Sequence, residues 1–158
     1  MHPYHGLIGC EPFVNGIVKL LATLTRERID NVRVFPDDAR LLLAALEPAS
    51  LARVFALFPD PWPKKRHEGR RLVTSDTLDL LARTMAGGAE LRLATDDADF
   101  AAWMRAQLHV HEAFEGPAGG LEGYRERPAD WPPTRYEAKA LAAGHRPFYL
   151  VYRRRPRP

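Results

Sequence analysis

Apolar positions along the chain fall into short blocks of two kinds, and their alternation predicts strand, helix, strand, helix from the start. Leu7 to Cys10 is short and apolar enough for a buried strand. Pro12 suits a first helical position, and Phe13, Ile17, Leu20, Leu21 and Leu24 then recur on one helical face. Val32 to Phe35 reads as a second strand, and Leu41 to Leu46 as a short helix behind Asp37 and Asp38. Leu51 to Phe58 is the strongest strand of the chain; it is too apolar for a sheet with one wet face and is expected in the buried middle of the sheet. Such an order argues for an α/β sandwich around a largely parallel sheet.

The periodicity then stops. Phe58-Pro59-Asp60-Pro61-Trp62-Pro63 carries three prolines, which remove backbone donors, so a stiff loop is expected that runs into a basic stretch. A helix resumes near Ser75, with Leu78, Leu81, Ala82 and Met85 at helical spacing and Gly87-Gly88 as its stop. Ala89 to Ala94 reads as a strand, and Phe100, Trp103, Met104 and Leu108 mark another helix. Glycine and proline dominate Glu115 to Pro133, which predicts a long surface connection. A short helix from Tyr136 to Ala143, stopped by Gly144, and a strand from Phe148 to Tyr152 close the pattern. No internal repeat is visible, and 158 residues predict a single domain over 1–158.

Charge adds to this picture through its distribution. The net charge is only +3, but Lys64 to Arg71 sets five basic residues against Glu68, and Arg153, Arg154, Arg155 and Arg157 form a second basic cluster. The body between them is therefore mildly acidic. Concentrated cations on such a body suit a polyanion, because lysine and arginine release counterions from nucleic-acid phosphates. For the last four arginines a frayed basic tail is the alternative reading. Cys10 is the only cysteine, so no intrachain disulfide can form, and its place in a predicted buried strand favours an inert thiol. Residues 1–7 carry neither a charged nor an apolar targeting segment, and every long apolar run is broken by charge. A soluble, cytoplasmic protein with no membrane association is expected.

Candidate chemistry sits at the strand ends, where open α/β sheets collect ligands. Glu11, Asp38, Asp60 and Asp96 follow four successive predicted strands, and a carboxylate there can accept hydrogen bonds from ribose hydroxyls. Each also has a structural reading: Glu11 as a first-turn charge, Asp38 and Asp96 as helix N-caps, Asp60 as a turn former. The proline frame around Asp60 fixes the direction of its carboxylate, and Lys64, Lys65, Arg66, His67, Arg70 and Arg71 place cations beside it, where phosphates of a large substrate could be held. His109 and His111 lack further ligands at metal spacing. No G-x-S-x-G or G-x-G-x-x-G pattern is present.

At these residues the sequence resembles the bacterial tRNA (guanine-N7-)-methyltransferases. The sharpest motif runs from Phe58 through Pro59-Asp60-Pro61-Trp62-Pro63-Lys64-Lys65-Arg66 to His67, with Arg70-Arg71; Ile8 to Gly16, Asp38-Ala39, Ala94-Thr95-Asp96 and Thr134-Arg135-Tyr136-Glu137 support it. The resemblance implies a Rossmann-like class I methyltransferase fold with S-adenosylmethionine as cofactor and the variable-loop guanosine of tRNA as substrate. It places Glu11, Asp38 and Asp60 at the cofactor, with Asp60 also catalytic. It places Lys64, Asp96, Thr134, Arg135, Tyr136 and Glu137 at the substrate, and Arg66, His67, Glu68, Gly69, Arg70 and Arg71 on RNA.

Two departures from the family pattern stand out. Gly69 occupies a position where a further basic residue is usual, and Glu68 adds a negative charge. The family also begins with a strand and a glycine-rich turn that precede the residues matched here. The first strand of the sheet and its glycine-rich loop are expected to be missing, which would leave the inner edges of the strands at Leu7 and Leu51 unpaired. An enzyme and a catalytically inactive tRNA-binding remnant both stay open on the sequence, as does an α/β domain with no RNA partner. Monomer and homodimer stay open too.

Overall fold

The computed structural model describes residues 6–157, so of the N-terminal stretch read for targeting signals, residues 1–5 lie outside it. The chain divides into two compact units, residues 1–46 and 47–158.

In the first unit β1 (Leu7–Cys10) pairs in parallel with β2 (Val32–Phe35), Leu7 opposite Val32 and Cys10 opposite Phe35. They are joined by α1 (Val14–Arg26), which begins two residues after Pro12, with Phe13 at the N-cap. Leu20 of α1 lies over Gly9, where an added Cβ would stand 3.8 Å from the leucine methyl. Helix α2 (Ala39–Ala45) follows, capped by Asp38. Only Leu43 is buried in this unit among the described residues; Ile8, Phe13, Val14 and Val18 are exposed. Cys10, expected inside a buried strand, is exposed as well, because β1 has one described partner strand and little packed on it.

The second unit is built on β3 (Leu51–Leu57), β4 (Met85–Thr95), β5 (Phe114–Glu115) and β6 (Phe148–Arg154), in the spatial order β3-β4-β6-β5. β3 and β4 are parallel, while β6 and β5 add antiparallel. This four-stranded sheet is therefore mixed, and among the described residues it is β3-β4 here and β1-β2 in the first unit that pair in parallel. β3 is not buried on both sides as its apolar run predicts: it stands at the edge of this sheet, and Phe55 is 44% exposed. The apolar content belongs instead to the centre, where Leu91 and Leu93 of β4 and Leu150 of β6 are fully buried.

Helices α3 (Ser75–Thr84) and α4 (Ala98–Val110) supply further core through Leu78, Phe100, Met104 and Leu108. Both are capped by side chains, Thr74 accepting from the Thr77 amide and Asp97 from the Phe100 amide. The predicted stop at Gly87-Gly88 is displaced: α3 ends at Thr84 and β4 starts at once. The pairing explains the glycines, for Leu51 stands opposite Met85 but Arg53 opposite Glu90, so β4 carries extra residues there. Gly88, at φ 79°, turns the chain through that irregularity. The basic tail is not frayed either. Arg154 Nε donates to Ala82 O at 3.0 Å and Arg157 Nη2 to the same oxygen at 3.2 Å, satisfying carbonyls at the end of α3.

The connection expected to run over the surface between Glu115 and Pro133 is partly internal. It holds a 3-10 turn (Leu121–Tyr124) with Tyr124 buried, and it buries Trp131 against Ala94 and Tyr149 on one face of the sheet. Gly116 passes directly over the Tyr152 ring, so an added Cβ would lie 2.4 Å from Cε1, whereas Gly123 has open space. Gly116→Ala is expected to destabilise the fold by about 1–3 kcal/mol, since the buried ring must move. Gly123→Ala should change thermal unfolding far less. Equal unfolding midpoints for the two variants would show that the ring contact carries no such constraint.

Candidate functional site

Parallel pairing of β3 with β4 brings their carboxyl ends level, Leu57 opposite Ala94. Phe58 N–H then donates to Ala94 O at 2.8 Å, so the proline loop leaves the sheet beside Thr95 and Asp96. Helix α5 (Arg135–Ala142) lies over the same end. These pieces enclose a cleft of about 250 Å³ lined by Pro59, Asp60, Thr95, Asp96, Tyr136 and Lys139, with His145 among its further walls. Three of the residues singled out in the sequence, Asp60, Asp96 and Tyr136, thus meet in one cleft. Lys139 and His145 escape sequence reasoning because neither belongs to a motif; each faces the cleft only through the way α5 and its following turn dock.

Asp60 is exposed, and among the described residues no hydrogen bond or ion pair to its carboxylate is found. Its loop is strained at both ends. Phe58 has φ 51° and Trp62 φ 43°, left-handed values for bulky residues that each precede a proline. Such conformations cost on the order of 1–3 kcal/mol each and persist only where the surroundings hold them. Asp96 is not the N-cap of α4; Asp97 takes that place, and Asp96 Oδ2 faces His145 Nδ1 at 2.9 Å. Above them the exposed Tyr136 ring stacks on Phe58, with centroids 6.2 Å apart and planes 20° from parallel.

The Thr134-Arg135-Tyr136-Glu137 motif acquires a structural account. Thr134 is the N-cap of α5 and accepts from the Glu137 amide at 3.1 Å, while the Glu137 carboxylate accepts from Thr134 N–H at 3.2 Å, a reciprocal capping box. T-x-x-E is itself the sequence signal for a helix starting at Arg135. The buried Glu137 carboxylate also accepts from the Tyr149 hydroxyl and stands 3.3 Å from Arg127. Burial, reinforced by Glu137, pushes the Tyr149 hydroxyl well above its ordinary pKa. Of the four, Arg135 and Tyr136 keep their side chains outward.

The basic segment is a 3-10 turn (Lys65–Arg70) with Lys64 at its N-cap, more ordered than the loop expected. It clasps Trp62, whose ring has Arg70 over it at 5.0 Å and His67 edge-on at 5.7 Å. Lys64, Lys65, Arg66 and Arg70 remain exposed, and an added side chain at Gly69 would meet open space. Glu68 points back toward Arg71, 3.8 Å away, and Arg71 is buried.

In the first unit the two strand-end carboxylates are engaged locally. Glu11 Oε1 accepts from Phe13 N–H at 2.9 Å, and an added Cβ at Gly16 would come 3.0 Å from Glu11 Cγ, so the glycine leaves room for that side chain. Asp38 accepts from the Arg40 amide at 2.9 Å and from the Arg40 guanidinium, chiefly the latter holding its pKa below the ordinary carboxylate value. Partial burial and then Asp38 push the Cys10 thiol up, away from the thiolate. The N-cap reading of Asp38 is therefore realised.

Comparison with known proteins gives the family. A family model described as a putative methyltransferase matches residues 1–150. A tRNA (guanine-N(7)-)-methyltransferase of Rhodospirillum rubrum is 50% identical over 99% of this chain and 61% of its own length. Those of Paramagnetospirillum magneticum and Granulibacter bethesdensis are 51% and 48% identical, with 65% and 70% of their own lengths covered. The chain thus spans under two thirds of the first two relatives. Among solved structures, a putative methyltransferase from Escherichia coli matches with a TM-score of 0.56 at 18% identity, covering 96% of this chain and 65% of that one. An rRNA methylase from Streptococcus thermophilus matches with a TM-score of 0.60 at 12% identity, covering 95% and 74%. These likenesses show the fold as the class I methyltransferase α/β fold, and the family match over residues 1–150 shows that the chain belongs to the putative methyltransferase family.

Proposed function

We propose that this chain serves as a tRNA (guanine-N7-)-methyltransferase, acting on the variable-loop guanosine, and that residues 1–158 belong to one methyltransferase domain. The observation that carries the reading is the cleft that joins Asp60, Asp96 and Tyr136 beside an exposed basic turn. The names of relatives about half identical to it support the substrate, and a family match reaching from residue 1 to residue 150, across both units, supports the single domain. A cleft of about 250 Å³ is smaller than the roughly 300–1,000 Å³ of sites for whole drug-sized ligands. It suits one base. A cytoplasmic setting, where tRNA is met, goes with that substrate; no described helix is long and apolar enough to cross a membrane.

The carboxylates of the first unit fit a nucleoside cofactor. Ionised carboxylates accept several hydrogen bonds, so Glu11 keeps acceptor capacity for ribose hydroxyls beyond the Phe13 amide, whereas Asp38, which accepts from the Arg40 amide and guanidinium at both oxygens, would exchange the guanidinium for them. S-adenosylmethionine, when bound, supplies a methyl group activated as a sulfonium. Guanine N7 already presents an in-plane lone pair, so no proton must leave before attack and no side chain has to act as a general base. What the protein contributes is alignment of the base and stabilisation of the positive charge that arrives on the purine. Asp60 provides a fixed anion for that charge, Tyr136 and Phe58 an aromatic surface for the base, and Asp96 an acceptor for its N–H edge. Thr134 and Glu137 set the start of α5 and so hold Tyr136 in place. Lys64, Lys65, Arg66 and Arg70 meet phosphates, with His67 and Glu68 shaping the turn that presents them.

Asp60→Asn keeps the size of the side chain and removes its charge, and is expected to lower methyl transfer to tRNA by about 100-fold or more, the scale of losing one fixed electrostatic contact. Near-normal incorporation of labelled methyl groups would sink the assignment. Gly69→Lys adds a cation in open space, restoring the basic residue usual in the family. It should tighten tRNA binding and steepen the dependence of log affinity on log salt by up to about 0.9. Unchanged affinity and slope would place the RNA path elsewhere.

A further inference from the structure

Arg71 closes the basic segment, and the family resemblance sets it on RNA with its neighbours. Its surroundings differ from theirs. Arg71 is 8% exposed, and its guanidinium lies over the Trp103 ring at 4.5 Å and the Phe100 ring at 5.9 Å. Trp103 is fixed in turn by its indole N–H, which donates to Val73 O at 2.8 Å. From this seat Arg71 Nε donates to Pro61 O at 3.0 Å and Nη2 to Trp62 O at 3.3 Å. Its own amide donates to Glu68 O at 3.0 Å, which closes the 3-10 turn.

The loop it reaches has few donors of its own. Pro59, Pro61 and Pro63 have no amide hydrogen, so every second residue from 59 to 63 offers the backbone only an acceptor. Between them only the Asp60 and Trp62 amides remain, and Arg71 adds donors from outside. A guanidinium supplies several N–H groups in a rigid fork, whereas an ammonium on a flexible stem offers a point charge. The two carbonyls that Arg71 takes are those of the two residues after Asp60, the second being the left-handed Trp62 itself. We propose that Arg71 is a positioning residue, which sets the direction of the Asp60 carboxylate through the Pro61 and Trp62 carbonyls and does not contact phosphate. Its bearing on methyl transfer rests on the function proposed above; its hold on the loop does not.

Two readouts on the full chain test this. The first is the rate of tryptic cleavage after Lys64 and Lys65, which reports how firmly the loop is held. The second is the slope of log tRNA affinity against log salt. Arg71→Lys and Arg71→Ala are both expected to speed cleavage about tenfold, the scale of losing a hydrogen bond from a charged donor, while leaving the slope at the wild-type value, and Lys should not rescue. Arg66→Ala should instead lower the slope by about 0.9. Wild-type protection in Arg71→Lys would overturn the proposal, as would a slope for Arg71→Ala reduced as in Arg66→Ala. Loss of the cooperative thermal transition in Arg71→Lys would also overturn it, since the residue would then be holding the core rather than the loop. If the wild-type chain fails to bind tRNA, the functional reading falls, and the cleavage rates alone still decide whether Arg71 holds the loop.

Discussion

The parallel register of β3 on β4 is the constraint on which the rest of the second unit depends. Once Leu57 stands opposite Ala94, the chain must leave β3 beside Thr95 and Asp96, and the Phe58 amide finds Ala94 O. Three prolines then deny the departing loop the amides with which loops ordinarily secure themselves. Its conformation, left-handed at Phe58 and Trp62, is imposed by what surrounds it: the end of β4 on one side, and Arg71, Arg70 and His67 on the other. The backbone of such a frame loses little further freedom when a ligand arrives, while the exposed Asp60 carboxylate stays open to it.

The basic segment therefore has two faces. Its exposed cations form an electrostatic surface toward solvent, while Trp62 ties the same turn to the loop that carries Asp60. Phosphate contacts made on the outer face position a polyanion without reading its sequence. They would do so on an element that packs on Trp62, next to the loop that lines the cleft, so that holding the backbone and presenting one base would become linked events. Glu68, an oddity in a basic stretch, turns inward toward Arg71 and leaves the outer face less diluted than a count of charges suggests.

The sequence made the order of elements legible, because strands and helices alternate in periodicity and the strand-end carboxylates repeat. It misplaced what depends on pairing partners. The apolar run of β3 predicts burial on both sides, yet the strand stands at an edge with Phe55 half exposed. Gly87 and Gly88 look like a helix stop and instead serve an irregular strand register. Asp60, Asp96 and Tyr136, singled out by motif and position, line one cleft. Lys139 and His145 were not singled out, since only docking of α5 brings them to the cleft. Arg71 reads like its charged neighbours in the sequence, because composition alone cannot separate a buried guanidinium from exposed ones.

Cross-linking tests the central claim most directly, that a guanine base of tRNA enters the cleft at the ends of β3 and β4. Transfer RNA carrying 6-thioguanosine at the variable-loop guanosine would be irradiated with the chain and the attached peptides identified by mass spectrometry. The account predicts adducts on the segment from Phe58 to Trp62 and on α5 at Tyr136. Adducts confined to peptides remote from the cleft, with these two segments unlabelled, would contradict it.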